Sequence, residues 1–316
     1  MDPRTGNLGE SGVGNVSLVF LRSLAWLYGV QPRSWQLFWG KILGLCLGVM
    51  HFRSRVVLEN LARAYPARLD EQKRIFRASY IHLGRLILEI LLVLGPMKRF
   101  VTRWMTVTGV ENFKAARERG RGVIFLGSHL GNWEVMAVGG AVLADVNLMM
   151  VTKRLKPQWL HQAIEQGRLS CGVRATYEPR TLKDVLLHLK KNGSVGIVLD
   201  QFVGPPVGVR VPVFGTPVGT SMLVATLAKR TGAAVLPVVC CRNDDGSWVL
   251  EIHPALGWEK SEDPHFELAD NTARYSQWIE ERIYARPEQW LWSHRRFKGD
   301  LSALRQNEWT KPRVRS

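Results

Sequence analysis

The chain has 316 residues, 46% hydrophobic and 22% charged, a globular composition that excludes a fibrous or disordered protein and leaves apolar material for one large core plus an accessory segment. Its 43 Lys and Arg outnumber 27 Asp and Glu, for a formal net charge of +16, so its partners are expected to be negative: phospholipid headgroups, a phosphorylated substrate, an acidic carrier protein or nucleic acid. The four cysteines, Cys46, Cys171, Cys240 and Cys241, show neither the paired spacing of a zinc site nor a disulfide framework, which points to a reducing compartment and no structural metal.

Met1-Asp2-Pro3 leads into no basic segment with an apolar core and small-residue cleavage site, so no removable secretory signal is read, and a cytoplasmic-side location is expected. Residues 16–52 are strongly apolar and aromatic, but Arg22, Arg33 and Lys41 interrupt them before any run reaches the roughly 20 residues that span a bilayer. Trp26, Tyr28, Trp35 and Trp39, set between cations, suit the headgroup boundary, where rings and snorkelling Lys or Arg reach both water and hydrocarbon. The competing reading is a hairpin of core helices. A basic stretch follows at Arg53, Arg55, Arg63 and Arg68, then a helical pattern over 70–94, nearly all apolar in its second half and ended by Gly95-Pro96.

Near residue 100 the pattern changes to short β-branched runs alternating with amphipathic helices. This predicts a membrane-associated helical segment over 1–100 and a catalytic domain over 101–316. Strands are expected at 104–108, 122–127, 146–152, 194–199, 233–240 and 247–252, and helices at 111–119, 132–143, 158–170, 182–190 and 219–231, the last stopped by Gly232. The alternation predicts an α/β domain whose central sheet, mixed or mostly parallel, is flanked by helices.

The most informative segment is GVIFLGSHLGNWEVMAVGG, residues 122–140: an apolar strand, a Gly-rich polar turn and an apolar helix. Such a turn, at the carboxyl end of a strand, is where open α/β sheets place ligands. His129 and Glu134 would lie on different faces of one continuous helix. With His129 in the turn and Glu134 in the first helical turn, however, the carboxylate can fold back to the imidazole. Glu134 would then hold one ring nitrogen while the other takes a proton from an attacking hydroxyl. On spacing alone an equal alternative stands, in which His129 caps a helix and Glu134 is a first-turn acid favoured by the helix dipole. The neighbours of Ser128 lack the GxSxG elbow of esterases, which argues against a hydrolase.

The segment Ser128 to Glu134, SHLGNWE, resembles the H-x4-D/E motif of the lysophospholipid acyltransferases of lipid A biosynthesis, the lauroyl and myristoyl acyltransferase family. The resemblance runs along most of the chain. It takes in Arg55, Asn60-Leu61, Ala64-Tyr65-Pro66, the apolar helix holding Glu89, GIVLDQ ending at Asp200-Gln201, VPVFG at 211–215, TGAAVLPVV at 231–239 and QWLWSHRRFK at 289–298. It implies transfer of a fatty acyl chain from an acyl-carrier-protein or coenzyme A thioester to a hydroxyl of a phosphorylated glycolipid precursor of lipid A. His129 and Glu134 are then catalytic, and no cofactor is needed beyond the thioester co-substrate.

Asn132, inside the motif, either orients the dyad or donates to substrate, and it equally suits an N-cap. Asp200 and Gln201, at a strand's end, are expected to face the cleft of His129 as substrate-binding groups, the carboxylate holding a substrate group or a nearby arginine, although Asp at such a junction is also an ordinary turn former. Lys153 and Arg154 are candidate cations for a phosphate or for charge developing on the thioester carbonyl. The family usually has Tyr-Arg or Thr-Arg there, whereas this chain has Thr-Lys-Arg-Leu-Lys. Oxyanion donors are sought in backbone N–H groups or cations near the turn.

The run holding Trp290, Trp292, His294, Arg295, Arg296 and Lys298 is read as facing headgroups, with a packed core as its alternative. The expected partners are acyl carrier protein, the glycolipid acceptor and a membrane surface, with no nucleic acid. The expected location is the bacterial inner membrane, with the catalytic domain on its cytoplasmic face. Relatives acting on a phosphatidylinositol mannoside or an amino-acid lipid form the nearest rival reading, and a non-catalytic basic protein binding membrane or nucleic acid the most distant.

Overall fold

A computed structural model describes residues 8–298, with side chains from residue 16 onward. The Met1-Asp2-Pro3 start and the last residues of the expected second domain lie outside that range. The chain opens with α1 (Leu8–Val30) and α2 (Arg33–Val49), broken at Pro32. The Gln36 amide secures the turn by donating to the carbonyls of Tyr28 and Gln31 at 3.0 and 3.2 Å. Next come α3 (Ser54–Ala64), α4 (Leu69–Leu91) and α5 (Met97–Trp104). Where α2 crosses α4, Gly44 meets the Tyr80 carbonyl and Gly84 meets the backbone of Gly40 and Gly44 so closely that any Cβ would collide, and glycine's missing side chain is what permits the approach. No described helix is long and apolar enough to cross a membrane.

The remaining chain runs β1 (Met105–Thr108), α6 (Val110–Glu118), β2 (Val123–Gly127), α7 (Trp133–Leu143), β3 (Leu148–Val151), α8 (Gln158–Ser170), β4 (Arg174–Thr176), α9 (Thr181–Lys190), β5 (Ser194–Val198), β6 (Gly208–Val213), β7 (Thr216–Ser221), α10 (Leu223–Thr231), β8 (Ala234–Arg242), β9 (Trp248–Ile252) and α11 (Glu267–Ala285). Seven strands form one sheet in the order β1-β9-β8-β2-β5-β3-β4. Every neighbouring pair is parallel except β8 with β9. The expected α/β architecture with a mostly parallel, helix-flanked sheet is therefore present.

Central β2 is buried along its whole length, as its unbroken apolar run VIFLG requires of a strand covered on both faces. Its alternate residues feed two cores, Ile124 and Leu126 on one face and Val123 and Phe125 on the other, following the two-residue period of a strand. The helix expected from residue 219 starts at Leu223, because TPVGTS forms β7, paired antiparallel with β6. Pro212 and Pro217 sit in this two-stranded ribbon outside the main sheet, where a missing N–H is tolerated. The short β4, β6 and α11 also fall outside the expected elements, and α11 covers the ribbon, its Glu280 accepting from the Phe214 N–H at 2.7 Å.

Candidate active site

The turn after β2 lies at the carboxyl end of the sheet's parallel core. Gly131 has φ +73°, and a Cβ there would strike the Cys240 carbonyl, so only glycine fits where the turn grazes β8. Asn132 then starts α7, its side-chain oxygen accepting from the N–H groups of Glu134 and Val135 at 3.0 and 3.2 Å, a side-chain N-cap.

His129 meets Asp200 at the end of β5. Its Nδ1 is 2.8 Å from Asp200 Oδ1, and its backbone N–H donates to Oδ2 at 2.7 Å. The indole N–H of Trp290 donates to the same Oδ2 at 2.8 Å. Burial pushes the Asp200 carboxyl up, but His129 and these hydrogen bonds outweigh it and hold the group below the ordinary carboxylate range. Burial likewise pulls His129 down, and the charge and hydrogen bond of Asp200 overcome it, leaving the imidazole net raised. With Nδ1–H donated to Asp200, a tautomer assigned from the network, the Nε2 lone pair remains available, loosely held by the Gln201 amide at 3.4 Å. Asp200 and Gln201 thus share the cleft of His129.

Glu134 does not turn back to the imidazole. Its carboxylate, 2% exposed, is taken in a two-pronged ion pair by Arg168 of α8, with Arg168 Nε 3.0 Å from Oε2 and Nη2 against Oε1. The guanidinium fork matches a carboxylate geometrically, and the Asn132 cap directs the start of α7 so that Glu134 faces α8 while His129 faces β5. The expected His129–Glu134 pair is replaced by two pairs, His129–Asp200 and Glu134–Arg168. Arg168 carries no sequence signal, being one of many arginines, and only the third dimension brings it to Glu134.

Asn132 does not line the cavity beside His129: it is fully buried and donates to Glu89 at 3.4 Å. Glu89, on α4, accepts from Arg33 and Arg242 at 2.5 Å each. Arg242 in turn reaches His82 Nδ1 at 3.1 Å, and the far nitrogen of His82 lies 3.2 Å from the Gly131 carbonyl. Burial, and then the Arg242 charge, pull His82 down to about 3, so it is neutral and donates to Gly131. This buried cluster under the turn carries one legible signal, a single acid in the apolar run LILEILLVL, which demands buried cations.

A cavity of about 510 Å³ runs from His129 between α7 and the sheet. Phe125, Met136, Leu148, Val198 and Leu250 give it apolar walls, with Gly127, Gly140 and Gly196 leaving room, and Gln201, Lys153 and Arg168 add polar groups. Lys153 is exposed, while Arg154 lies over the Tyr177 ring at 5.3 Å. Three N–H groups of the turn are already engaged. The N–H groups of His129, Gly131 and Asn132 go to Asp200, to the Gln289 carbonyl at 2.9 Å and to the Cys240 carbonyl at 3.4 Å.

Trp290, Trp292 and Arg296 of the C-terminal run are core rather than a headgroup-facing surface, 2%, 1% and 1% exposed, whereas Arg295 and Lys298 stay exposed. Arg296 donates to the carbonyls of Gln201 and Gly219 at 2.9 and 2.8 Å and to Thr220 Oγ1 at 2.6 Å. Burial pulls its pKa down to about 10, which leaves it cationic at neutral pH. The sequence displays the rings but not the bond from Trp290 to Asp200 or those from Arg296 to Gln201, Gly219 and Thr220.

A family model described as bacterial lipid A biosynthesis acyltransferase matches residues 15–299. The chain is 28% identical over 279 residues to the Lipid A biosynthesis palmitoleoyltransferase of Escherichia coli (strain K12), covering 86% of this chain and 88% of that protein. It is 27% identical over 264 residues to the Lipid A biosynthesis lauroyltransferase of the same organism, covering 80% and 82%. It is also 29% identical over 202 residues to the Phosphatidylinositol mannoside acyltransferase of Mycobacterium tuberculosis (strain CDC 1551 / Oshkosh), covering 63% and 62%.

Proposed function

Because this chain belongs to the bacterial lipid A biosynthesis acyltransferase family, we propose that it moves a fatty acyl chain from an acyl-carrier-protein thioester to a hydroxyl of a lipid A precursor, with His129 as general base. The observation that carries the mechanism is the open Nε2 of a His129 anchored by Asp200 beside an apolar cavity. Nε2 takes the acceptor's hydroxyl proton as its oxygen attacks the thioester carbonyl. The tetrahedral intermediate then expels the thiolate, which recovers the proton from the imidazolium. Asp200 stabilises that imidazolium. Gln201, Lys153 and Arg168 are the cavity donors for the carbonyl's developing charge. Lys153, exposed at the cavity, also suits a phosphate of the acceptor.

The acyl chain is assigned to the apolar cavity. Gly196 lies four residues before Asp200, about 13 Å along the strand, and a Cβ there meets Leu148 at an ordinary 3.5 Å. Gly196→Val is therefore expected to fold and to block the inner part of the cavity. Losing the burial of two or three methylenes, at about 0.8 kcal/mol each, lowers kcat/KM for the longest accepted donor by roughly 15- to 60-fold while sparing shorter ones. Competition between acyl donors of graded length reads this out, and uniform loss at every length would contradict the assignment.

The outer faces of α1 and α2 expose Phe20, Leu27, Trp35, Phe38 and Val49, each more than half accessible. We assign this face to the lipid interface, with the helices lying on the inner membrane's cytoplasmic side. The decisive experiment offers labelled acyl-carrier-protein thioesters and a tetraacylated lipid A precursor to wild type and His129→Ala. Transfer by wild type and none by a folded variant is expected. Similarity to the mannoside acyltransferase supports a second reading, acylation of another polar lipid, which is favoured if wild type transfers only to that acceptor. Retained turnover in His129→Ala would overturn general-base catalysis.

A further inference from the structure

Beyond the catalytic cavity, an open recess of about 520 Å³ is lined by Trp26 on α1, by Gly95 and Pro96, and by Lys98, Arg99, Thr102 and Arg103 on α5. We propose that this recess binds the headgroup of an anionic glycerophospholipid of the membrane on which the protein sits, an inference that rests on the reading of α1 and α2 as seated at the lipid interface.

Three observations converge. The first is charge. Lys98, Arg99 and Arg103 are exposed, α5 carries no acid in its sequence MKRFVTRW, and among the described residues no carboxylate pairs with any of the three. Arg103 lies over the ring of its neighbour Trp104 at 5.1 Å from the centroid, an arrangement that leaves guanidinium N–H groups free for an anion. Burial of Phe100 and Val101 against the core fixes the opposite face of α5, so the cations have one direction in which to point.

The second is position. The indole of Trp26 lies against Gly95, and Gly29 touches Pro96, each too tightly for a Cβ. These contacts lock α1 to the start of α5. Trp26 is 48% exposed and borders the apolar stripe of Val19, Phe20 and Leu27 on the same helix. The recess therefore opens where an apolar face meets a cationic one, the arrangement met by a lipid whose chains lie beside α1 and whose phosphate reaches α5.

The third is chemistry. A phosphodiester carries one negative charge and several acceptor oxygens. Lys supplies a mobile point charge and Arg a planar fork. An indole at the rim suits the amphipathic boundary between glycerol and chains.

The test measures sedimentation with vesicles of phosphatidylcholine alone and of phosphatidylcholine doped with phosphatidylglycerol. It compares wild type, a Lys98→Gln, Arg99→Gln, Arg103→Gln triple variant, and a control removing equal charge at exposed Arg119, Lys190 and Lys191, with thermal melts checking folding. Wild type is expected to bind both vesicles and to prefer the doped ones. The recess variant should lose on the order of 100-fold in affinity for doped vesicles yet keep its binding to neutral ones, and the control should lose much less. Equal losses in both variants would attribute the preference to diffuse charge and overturn the proposal. So would wild type indifferent to phosphatidylglycerol. If the recess variant keeps its lipid preference but loses turnover only with acyl carrier protein as donor, the recess serves an acidic protein instead. Failure of wild type to bind either vesicle refutes the interfacial seating itself, a result distinct from loss of headgroup preference alone.

Discussion

Replacing Asp200 with asparagine is expected to lower turnover by about 10³- to 10⁴-fold, the scale seen when a carboxylate that orients a catalytic histidine is neutralised. Two effects combine. With His129 as the proposed base, asparagine cannot stabilise the imidazolium that forms, and its amide can present N–H to Nδ1, which forces the proton onto Nε2 and removes the base. The pH profile supplies a second readout with a definite sign. A general base acts when neutral, so activity rises with pH through the pKa of His129. In the wild type Asp200 raises that pKa against the opposing effect of burial. Without the charge, burial acts unopposed, and the rising limb of the residual activity moves to lower pH. Glu134→Gln forms the contrast. It leaves Arg168 with a weakened partner and lowers stability, but it leaves the limb in place, because Glu134 is bonded to Arg168 and not to the imidazole. If Glu134→Gln moved the limb and Asp200→Asn did not, the pairing argued here would be wrong.

The order of strands and helices was legible because periodicity records burial directly. VIFLG reads as a strand buried on both faces, and residues 158–170 match α8 residue for residue. The ribbon was misread because VPVFGTPVGTS carries prolines and glycines that mark breaks more clearly than strands. At the site, the sequence set Asp200 at a strand's end facing the cleft of His129 but offered Glu134 alone as the partner of the imidazole. Glu134 is close in sequence, whereas Asp200 is close only because β2 and β5 are adjacent. Local proximity favours Glu134 until the cap at Asn132 is seen to face that acid toward α8. The C-terminal tryptophans failed for a related reason. Interleaved rings and cations look alike whether they face lipid or a core, and the burial of both rings, with the bond from Trp290 to Asp200, separates the two.

Glu89→Gln is expected to destabilise the fold by about 3–5 kcal/mol, the cost of leaving buried charges without their partner, a large part of the typical 5–15 kcal/mol total. Arg33 and Arg242 both depend on Glu89, all three being 5% exposed or less. Arg33 brings in α2, Arg242 brings in β8, and Asn132 ties the same carboxylate to the catalytic turn. Denaturant melts should show the loss. They should also show wild-type stability falling as pH drops from about 6.5 toward 3, because the unfolded chain protonates His82 over a range in which the folded chain, with this group pulled down to about 3, does not. Stability and positioning can be separated. Replacing Arg33, Glu89 and Arg242 together with methionine removes the unpaired charges, and apolar replacement of buried ion clusters is often neutral or stabilising, so the melts should recover. Turnover should not, because His82 and Asn132 lose the partners that set the Gly131 carbonyl and the start of α7, and with them the approach of His129 to Asp200. Recovery of both would make the cluster a folding device alone, whereas stable protein with low turnover would make Glu89 a positioning residue that links the N-terminal helices to the chemistry.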